Sequence, residues 1–191
     1  VRPYRAYPHP DVLAASNKTN PYSLMDNPTG ISVSKGETLV VLVSDYRDEI
    51  VSLRVQNLDA PDSDGALNAE NYPLSPGVNK LCMKDKGLVY VMYHSGKPAS
   101  APPVTIHFVT GTVNGYYDSQ DPAHCGRAQE LLDHATDDYF DVLGRYAHLT
   151  FPVQRFRQHT RDLDSLIAIY DRIVYNLSLI HISEPTRHAQ I

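Results

Sequence analysis

Thr38-Leu39-Val40-Val41-Leu42-Val43-Ser44 and Ile50-Val51-Ser52-Leu53-Arg54-Val55-Gln56 decide the fold. The first run is apolar and β-branched, which predicts a strand buried in a core. In the second, Ile50, Ser52 and Arg54 alternate with Val51, Leu53 and Val55. Successive side chains on a strand point to opposite faces, so one apolar face turns inward. Ile31–Val33, Val78–Met83, Gly87–His94 and Val104–Thr110 carry the same character. Lys35-Gly36 supplies a turn after the first of these. Lys84-Asp85-Lys86-Gly87 predicts a hairpin between two others. Residues 57–76 are polar and read as a long surface loop. Six short strands separated by turn signals predict a mainly β domain over 31–115, a β-sandwich of jelly-roll type rather than a parallel α/β sheet.

Outward from this block the character changes on both sides. Residues 1–30 are rich in Pro, Tyr and Asn. Pro3, Pro8, Pro10, Pro21 and Pro28 argue against a helix, so this segment is expected to be an extended arm. Asp26-Asn27-Pro28-Thr29-Gly30 reads as a turn. A domain boundary is placed at 116–122. Beyond it, Ala128, Leu131, Leu132 and Ala135 predict a helix over 127–138. Tyr146–Val153 alternates like a strand. Thr160 is the expected N-cap of a further helix, with Asp162 favouring its dipole. Leu163, Leu166, Ile167, Tyr170, Ile173 and Val174 give that helix an apolar stripe. Helix, strand, helix predicts the opening of an α/β domain over 116–176. Nothing after the stripe can cover it completely, so this second domain is expected to be incomplete.

Val1 is not an initiator, so the true start is expected upstream. The stretch from Leu177 to Arg187 (LSLIHISEPTR) resembles the translation of a transposon adapter used in sequencing libraries. His188-Ala189-Gln190 would then be a barcode and Ile191 the next constant stretch. Residues 177–191 are therefore expected to lie outside the natural fold.

Composition bounds the function. The chain has 191 residues, 42% of them hydrophobic and 20% charged, enough for a substantial core. Seventeen Lys and Arg face 22 Asp and Glu, a net charge of −5. Without Glu184 and Arg187 the balance is 21 against 16 and the net charge is unchanged. A mildly acidic chain argues against nucleic acid as a partner. No apolar run approaches the roughly 20 residues of a membrane span. Two cysteines cannot build a disulfide scaffold or a Cys-rich zinc site. Cys82 falls in a predicted strand and is expected in the core, while Cys125 lies in the linker. A Cys82–Cys125 disulfide is open in an oxidising compartment, but sequence does not fix its geometry.

The residues that could carry chemistry form no complete motif. Nine histidines are scattered from His9 to His188, none paired at i, i+4 on a helix, and H-E-x-x-H is absent. His94, His107 and His148 read as strand histidines. His94-Ser95-Gly96 lacks the G-x-S-x-G elbow and reads as a turn. Asp59, Asp62, Asp64 and Gly65 form an acidic loop. With Gly65 at the sixth position of a calcium loop, Ala60 and Asn71 would stand where carboxylates are required, so a solvated loop is expected. Asp137, Asp138 and Asp141 are expected to face water. Arg155, Arg157 and Arg161 surround Phe156 in a cluster too small for nucleic acid. No catalytic, cofactor-binding or metal-binding residue is assigned. Asn17-Lys18-Thr19 is a glycosylation sequon, relevant in a eukaryotic secretory host.

Three stretches carry a family resemblance. They are Pro21-Tyr22-Ser23-Leu24-Met25-Asp26-Asn27-Pro28-Thr29-Gly30-Ile31 followed by Lys35-Gly36-Glu37, then Leu74-Ser75-Pro76-Gly77-Val78-Asn79, then the run from Tyr139 to Val153 (YFDVLGRYAHLTFPV). In order and spacing they resemble the enhancin-like zinc metallopeptidases (peptidase family M60), over about residues 20–176. The first two are similar to the leading domain of that family and the third to the start of its catalytic domain. The resemblance implies a secreted or surface-bound bacterial enzyme acting on mucin-like, O-glycosylated proteins. In such an enzyme the two His of H-E-x-x-H and a further Glu hold zinc, and the motif Glu is general base. This chain has no such motif. The expectation is an inactive N-terminal portion, with zinc and the glycoprotein substrate belonging to the whole enzyme. The competing expectation is a free-standing carbohydrate-binding or adhesion module, suited by thirteen tyrosines.

Overall fold

The protein is described from a computed structural model. The described residues are 1–18, 26–46, 49–60, 69–160 and 162–183. The chain divides into two compact units, Val1–Asn114 and Gly115–Ile191.

The first unit is almost entirely β. Its elements are β1 (Arg2–Tyr4), β2 (Tyr7–Pro8), α1 (Pro10–Asn17), β3 (Pro28–Val33), β4 (Thr38–Val43) and β5 (Ile50–Gln56), then β6 (Ala69–Pro73), β7 (Gly77–Cys82), β8 (Gly87–Ser95), β9 (Val104–Phe108) and β10 (Thr112–Val113). One sheet runs β1-β9-β4-β7 and the other β10-β3-β8-β5-β6. These pairings are antiparallel, and β2 adds to β8 in parallel. Both sheets feed one core. Leu39, Val41 and Val43 of β4 and Ile106 of β9 share it with Val51, Leu53 and Val55 of β5 and Val89, Val91 and Tyr93 of β8. Each fully buried side chain of this size contributes about 1.5–3 kcal/mol, so the cluster holds the unit together.

Several expectations need correction here. The arm is not wholly extended, because α1 begins at Pro10. Proline is tolerated in a first helical turn, where its missing N–H would have no intrahelical partner. The turn expected at 26–30 is instead the start of β3. Asn27 (φ 49°) and Gly30 (φ 70°) take left-handed backbone there, and the pairing of β3 with β8 shifts register between Pro28 and Ser32. Lys84–Gly87 is not a hairpin, since β7 pairs with β4 while β8 pairs with β3 and β5. The chain crosses between sheets because Met83 is tied to the turn after β3. Its N–H donates to Glu37 O at 2.8 Å and its carbonyl accepts from Gly36 N at 2.8 Å. The surface loop expected over 57–76 ends in β6, held by its register against β5. Asp62, Asp64 and Gly65 of the acidic loop lie outside the described residues. Cys82 closes β7 at the surface rather than in the core, and Cys82 and Cys125 are both free and exposed.

The second unit mixes helices with a small sheet. Its elements are β11 (Tyr117–Asp118), α2 (Ala128–Asp133), β12 (Tyr139–Leu143), β13 (His148–Pro152), α3 (Val153–His159) and α4 (Leu163–Ser183). The strand order is β11-β12-β13. β11 and β12 are parallel and are connected through α2, as parallel neighbours require a crossover. β12 and β13 form an antiparallel hairpin. The helix expected over 127–138 stops at Asp133, because Asp137 turns back to accept from Tyr139 N at 3.1 Å and starts β12. The strand expected to include Val153 gives way there to α3. Thr160 ends α3 rather than capping α4, its N–H donating to Phe156 O. Asp162 is the cap, accepting from Asp164 N at 3.0 Å and from the Ser165 hydroxyl. That hydroxyl holds its carboxyl below the usual range.

Leu132, Phe140, Val142, Phe156, Leu163 and Ile167 form the core of this unit, with Leu166 and Tyr170 packed on it. Farther along α4, Ile169, Ile173, Tyr175 and Leu177 are exposed. An exposed apolar stripe of this kind favours association. The full chain is expected to aggregate at concentrations where a chain ending at Asn114 stays soluble, as read by light scattering. Equal solubility with sharp thermal transitions for both would contradict this.

Candidate functional site

Among the described residues no three His, Cys, Asp or Glu side chains come together in a group able to hold a metal ion. The structure instead builds carboxylate-centred clusters, each within one unit.

In the first unit the ring of His94 on β8 meets Asp26, with Nε2 and Oδ2 2.8 Å apart. His9, before α1, packs edge-on against His94 with ring centroids 6.0 Å apart. Asp26 also acts on Arg54 of β5, whose pKa is lowered by burial and partly restored by that carboxylate. Ser95 follows His94 in sequence but belongs to β8 rather than to a turn, and strand alternation sends it to the other face. Its hydroxyl donates to Glu49 at 2.8 Å and accepts from Lys97 N at 3.1 Å. The neighbouring imidazole and hydroxyl are therefore not a nucleophile–base pair. His107 is exposed on β9.

In the second unit Asp141 of β12 is 3% exposed, against the expectation that it faces water. It accepts from Thr150 Oγ1 at 2.6 Å and lies 2.9 Å from His148 Nε2, both on the paired strand β13. A buried carboxylate is costly unless paired, and these two neighbours supply the partners. Asp138, by contrast, is exposed. Tyr117 of β11 is buried and donates to Asp164 in the first turn of α4. Burial, then that bonded carboxylate, push its phenol well above the ordinary tyrosine range. Asp171 of α4 accepts three backbone N–H groups, from Arg145, Tyr146 and Ala147, at 2.8–2.9 Å. Sequence reading missed this clasp, whose partners stand 24–26 positions apart.

Of the expected arginine cluster, Arg155 is exposed on α3. Arg161 lies outside the described residues. Arg157 Nη2 donates to Leu132 O at 3.0 Å and Asp133 O at 3.1 Å, closing the C-terminal end of α2. Cations there satisfy orphan carbonyls and complement the helix dipole. Arg157→Ala is expected to cost about 1 kcal/mol, the bond being partly solvated. The readout is a lower melting temperature for the second unit; no shift would contradict the role.

None of these clusters supplies an activated nucleophile or a set of metal ligands. They hold strands, helices and loops in place. Among the described residues no set of side chains fits a zinc centre.

No protein-family model and no functionally curated protein matches the sequence. Solved structures do. A metallopeptidase in complex with Tn antigen aligns with the whole chain at TM-score 0.86 and 30% identity, 36% of that protein being covered. A metallopeptidase from Bacteroides thetaiotaomicron aligns with the whole chain at 0.85 and 30%, with 33% of it covered. The M60 catalytic domain of Clostridium perfringens ZmpC, in complex with the sialyl T antigen, shares the fold at TM-score 0.72 and 13% identity, over 97% of this chain and 41% of that one. The structural neighbours are thus M60-like metallopeptidases, as the three sequence stretches indicated. The chain spans about a third of the length of the first two. Among the described residues no helix is long and apolar enough to cross a membrane.

Proposed function

We propose that the chain is the N-terminal, non-catalytic portion of a secreted or surface-bound bacterial zinc metallopeptidase acting on mucin-like, O-glycosylated proteins. One observation carries the reading: 30% identity over the entire chain to a metallopeptidase of which it spans only 36%. The Tn antigen held by that relative and the sialyl T antigen held by ZmpC support a glycoprotein substrate for the whole enzyme. In this reading the two sheets of Val1–Asn114 form a sandwich that braces the catalytic domain or positions the glycoprotein. Gly115 onward begins the catalytic domain, and the exposed apolar residues of α4 are covered by the rest of it. Zinc and its H-E-x-x-H ligands belong to that remainder.

A chimera tests the reading. Residues 1–176 replace the aligned part of the Bacteroides thetaiotaomicron metallopeptidase, with circular dichroism reporting folding and glycoprotein cleavage reporting function. Cleavage by the folded chimera is the expected result. A folded chimera without activity would count against equivalence of the two segments.

A further inference from the structure

We propose that the outward face of the four-stranded sheet β1-β9-β4-β7 docks the part of the metallopeptidase that lies beyond this chain. The inference rests on the metallopeptidase reading and gives the first unit one role within it, a brace rather than a glycan platform. Along these strands the core residues alternate with residues that point away from the core. Leu42 of β4 stands between Val78 of β7 and His107 of β9, each its direct cross-strand partner. Two positions along the same face, Val40 stands opposite Lys80. Val109, just past β9, donates its N–H to Val40 O at 2.8 Å. Leu42, Val78 and Val109 are 40%, 67% and 52% exposed. An aliphatic patch thus crosses three strands where alternation ordinarily gives polar side chains to water.

The patch is particular to this sheet. On the other sheet, β8 gives Val89, Val91 and Tyr93 to the core, so Leu88, Tyr90 and Met92 point outward. Those three are nevertheless buried. One outer face of the first unit is therefore covered at its centre and the other is bare.

Three occupants compete, and chemistry and size choose between them. A glycan is held by convergent polar groups in a concave site. The outward residues of these four strands include no Asp, Glu, Asn, Gln, Phe, Tyr or Trp. A second copy of the chain needs more area. Four strands about 4.8 Å apart, over five residues of about 3.4 Å each, give a face of roughly 300 Å². A stable dimer buries about 800 Å² on each partner. Domains of one polypeptide, by contrast, meet over about 600–1,500 Å² in total, and a face of this size reaches the lower end of that range. A tether supplies the effective concentration that a small contact lacks. The aligned segment leaves nearly two thirds of the relative outside it, ample for such a tethered partner.

The test places a thiol on the patch with Val78→Cys and follows its alkylation by iodoacetamide, read at residue 78 by peptide mass spectrometry. Val78 is exposed, so the variant keeps the fold, checked by circular dichroism. The full chain is expected to label rapidly, and the chimera with the Bacteroides thetaiotaomicron metallopeptidase at least about tenfold more slowly, as burial in an interface requires. Leu42→Lys gives a second readout. It should lower the melting temperature of the chimera by several degrees, with no comparable loss in the chain alone. Equal labelling rates, or equal melting losses, in a chimera that cleaves glycoprotein would overturn this inference and leave the metallopeptidase reading standing. A folded chimera without cleavage would overturn that reading and this inference with it. Labelling of the chain alone that slows with its own concentration would assign the face to a second copy. Slowing by an O-glycosylated peptide would assign it to glycan, and either result would overturn the proposal.

Discussion

Gly87→Ala is expected to unfold residues 1–114, or to lower their stability by about 4 kcal/mol or more. Gly87 opens β8 with φ at +145°, a conformation that L side chains rarely adopt. A Cβ added there would stand 2.0 Å from the carbonyl oxygen of Gln56 and 2.5 Å from its carbon. These are backbone atoms of the paired strand β5, so no rotamer change relieves the collision. Relief requires prying β8 from β5 at the centre of the larger sheet. Domains of this size are stable by only about 5–15 kcal/mol, so the loss approaches the whole. Gly36→Ala is the control. Gly36 has φ at +82° with nothing within 4 Å of an added Cβ, so only conformational strain of about 1–2 kcal/mol is expected. Chemical denaturation of both variants measures the difference. Equal, small losses would show that the close approach of β8 to β5 is not required.

Asp171→Ala is expected to destabilise the second unit by about 2–4 kcal/mol. Its carboxylate accepts the N–H groups of Arg145, Tyr146 and Ala147, which turn the chain between β12 and β13. Removing it leaves three donors to find water in a loop shaped around an anion. Gly144→Ala attacks the same clasp from the other side, because its Cβ would lie 2.4 Å from Asp171 Oδ1. The two substitutions should therefore combine to less than their sum. Asp171→Asn, which keeps one acceptor oxygen, should fall between. A loss below about 0.5 kcal/mol for Asp171→Ala would place this contact among ordinary surface interactions.

The strands β4, β5, β8 and β9 were legible because alternation and β-branching follow directly from one buried face. β6 was not, since Ala-Glu-Asn-Tyr-Pro (69–73) has almost no strand character and is held by pairing with β5. β12 was hidden by Asp141, a polar residue at a buried position whose partners, His148 and Thr150, become neighbours only when β13 folds back. α3 was missed because only Val153 and Phe156 are buried along it, too few for a periodicity. In α1 proline was read as a breaker where it stands in a first turn. The family resemblance lay in local motifs and could be read. The Asp171 clasp joins segments 24–26 positions apart, and no spacing rule announces it.

The most direct measurement is zinc content and peptidase activity of the purified chain, assayed on an O-glycosylated protein with and without a chelator. Substoichiometric zinc and no chelator-sensitive cleavage are predicted, because the segment lacks H-E-x-x-H. One tightly held zinc per chain, together with cleavage that the chelator abolishes, would contradict a non-catalytic role.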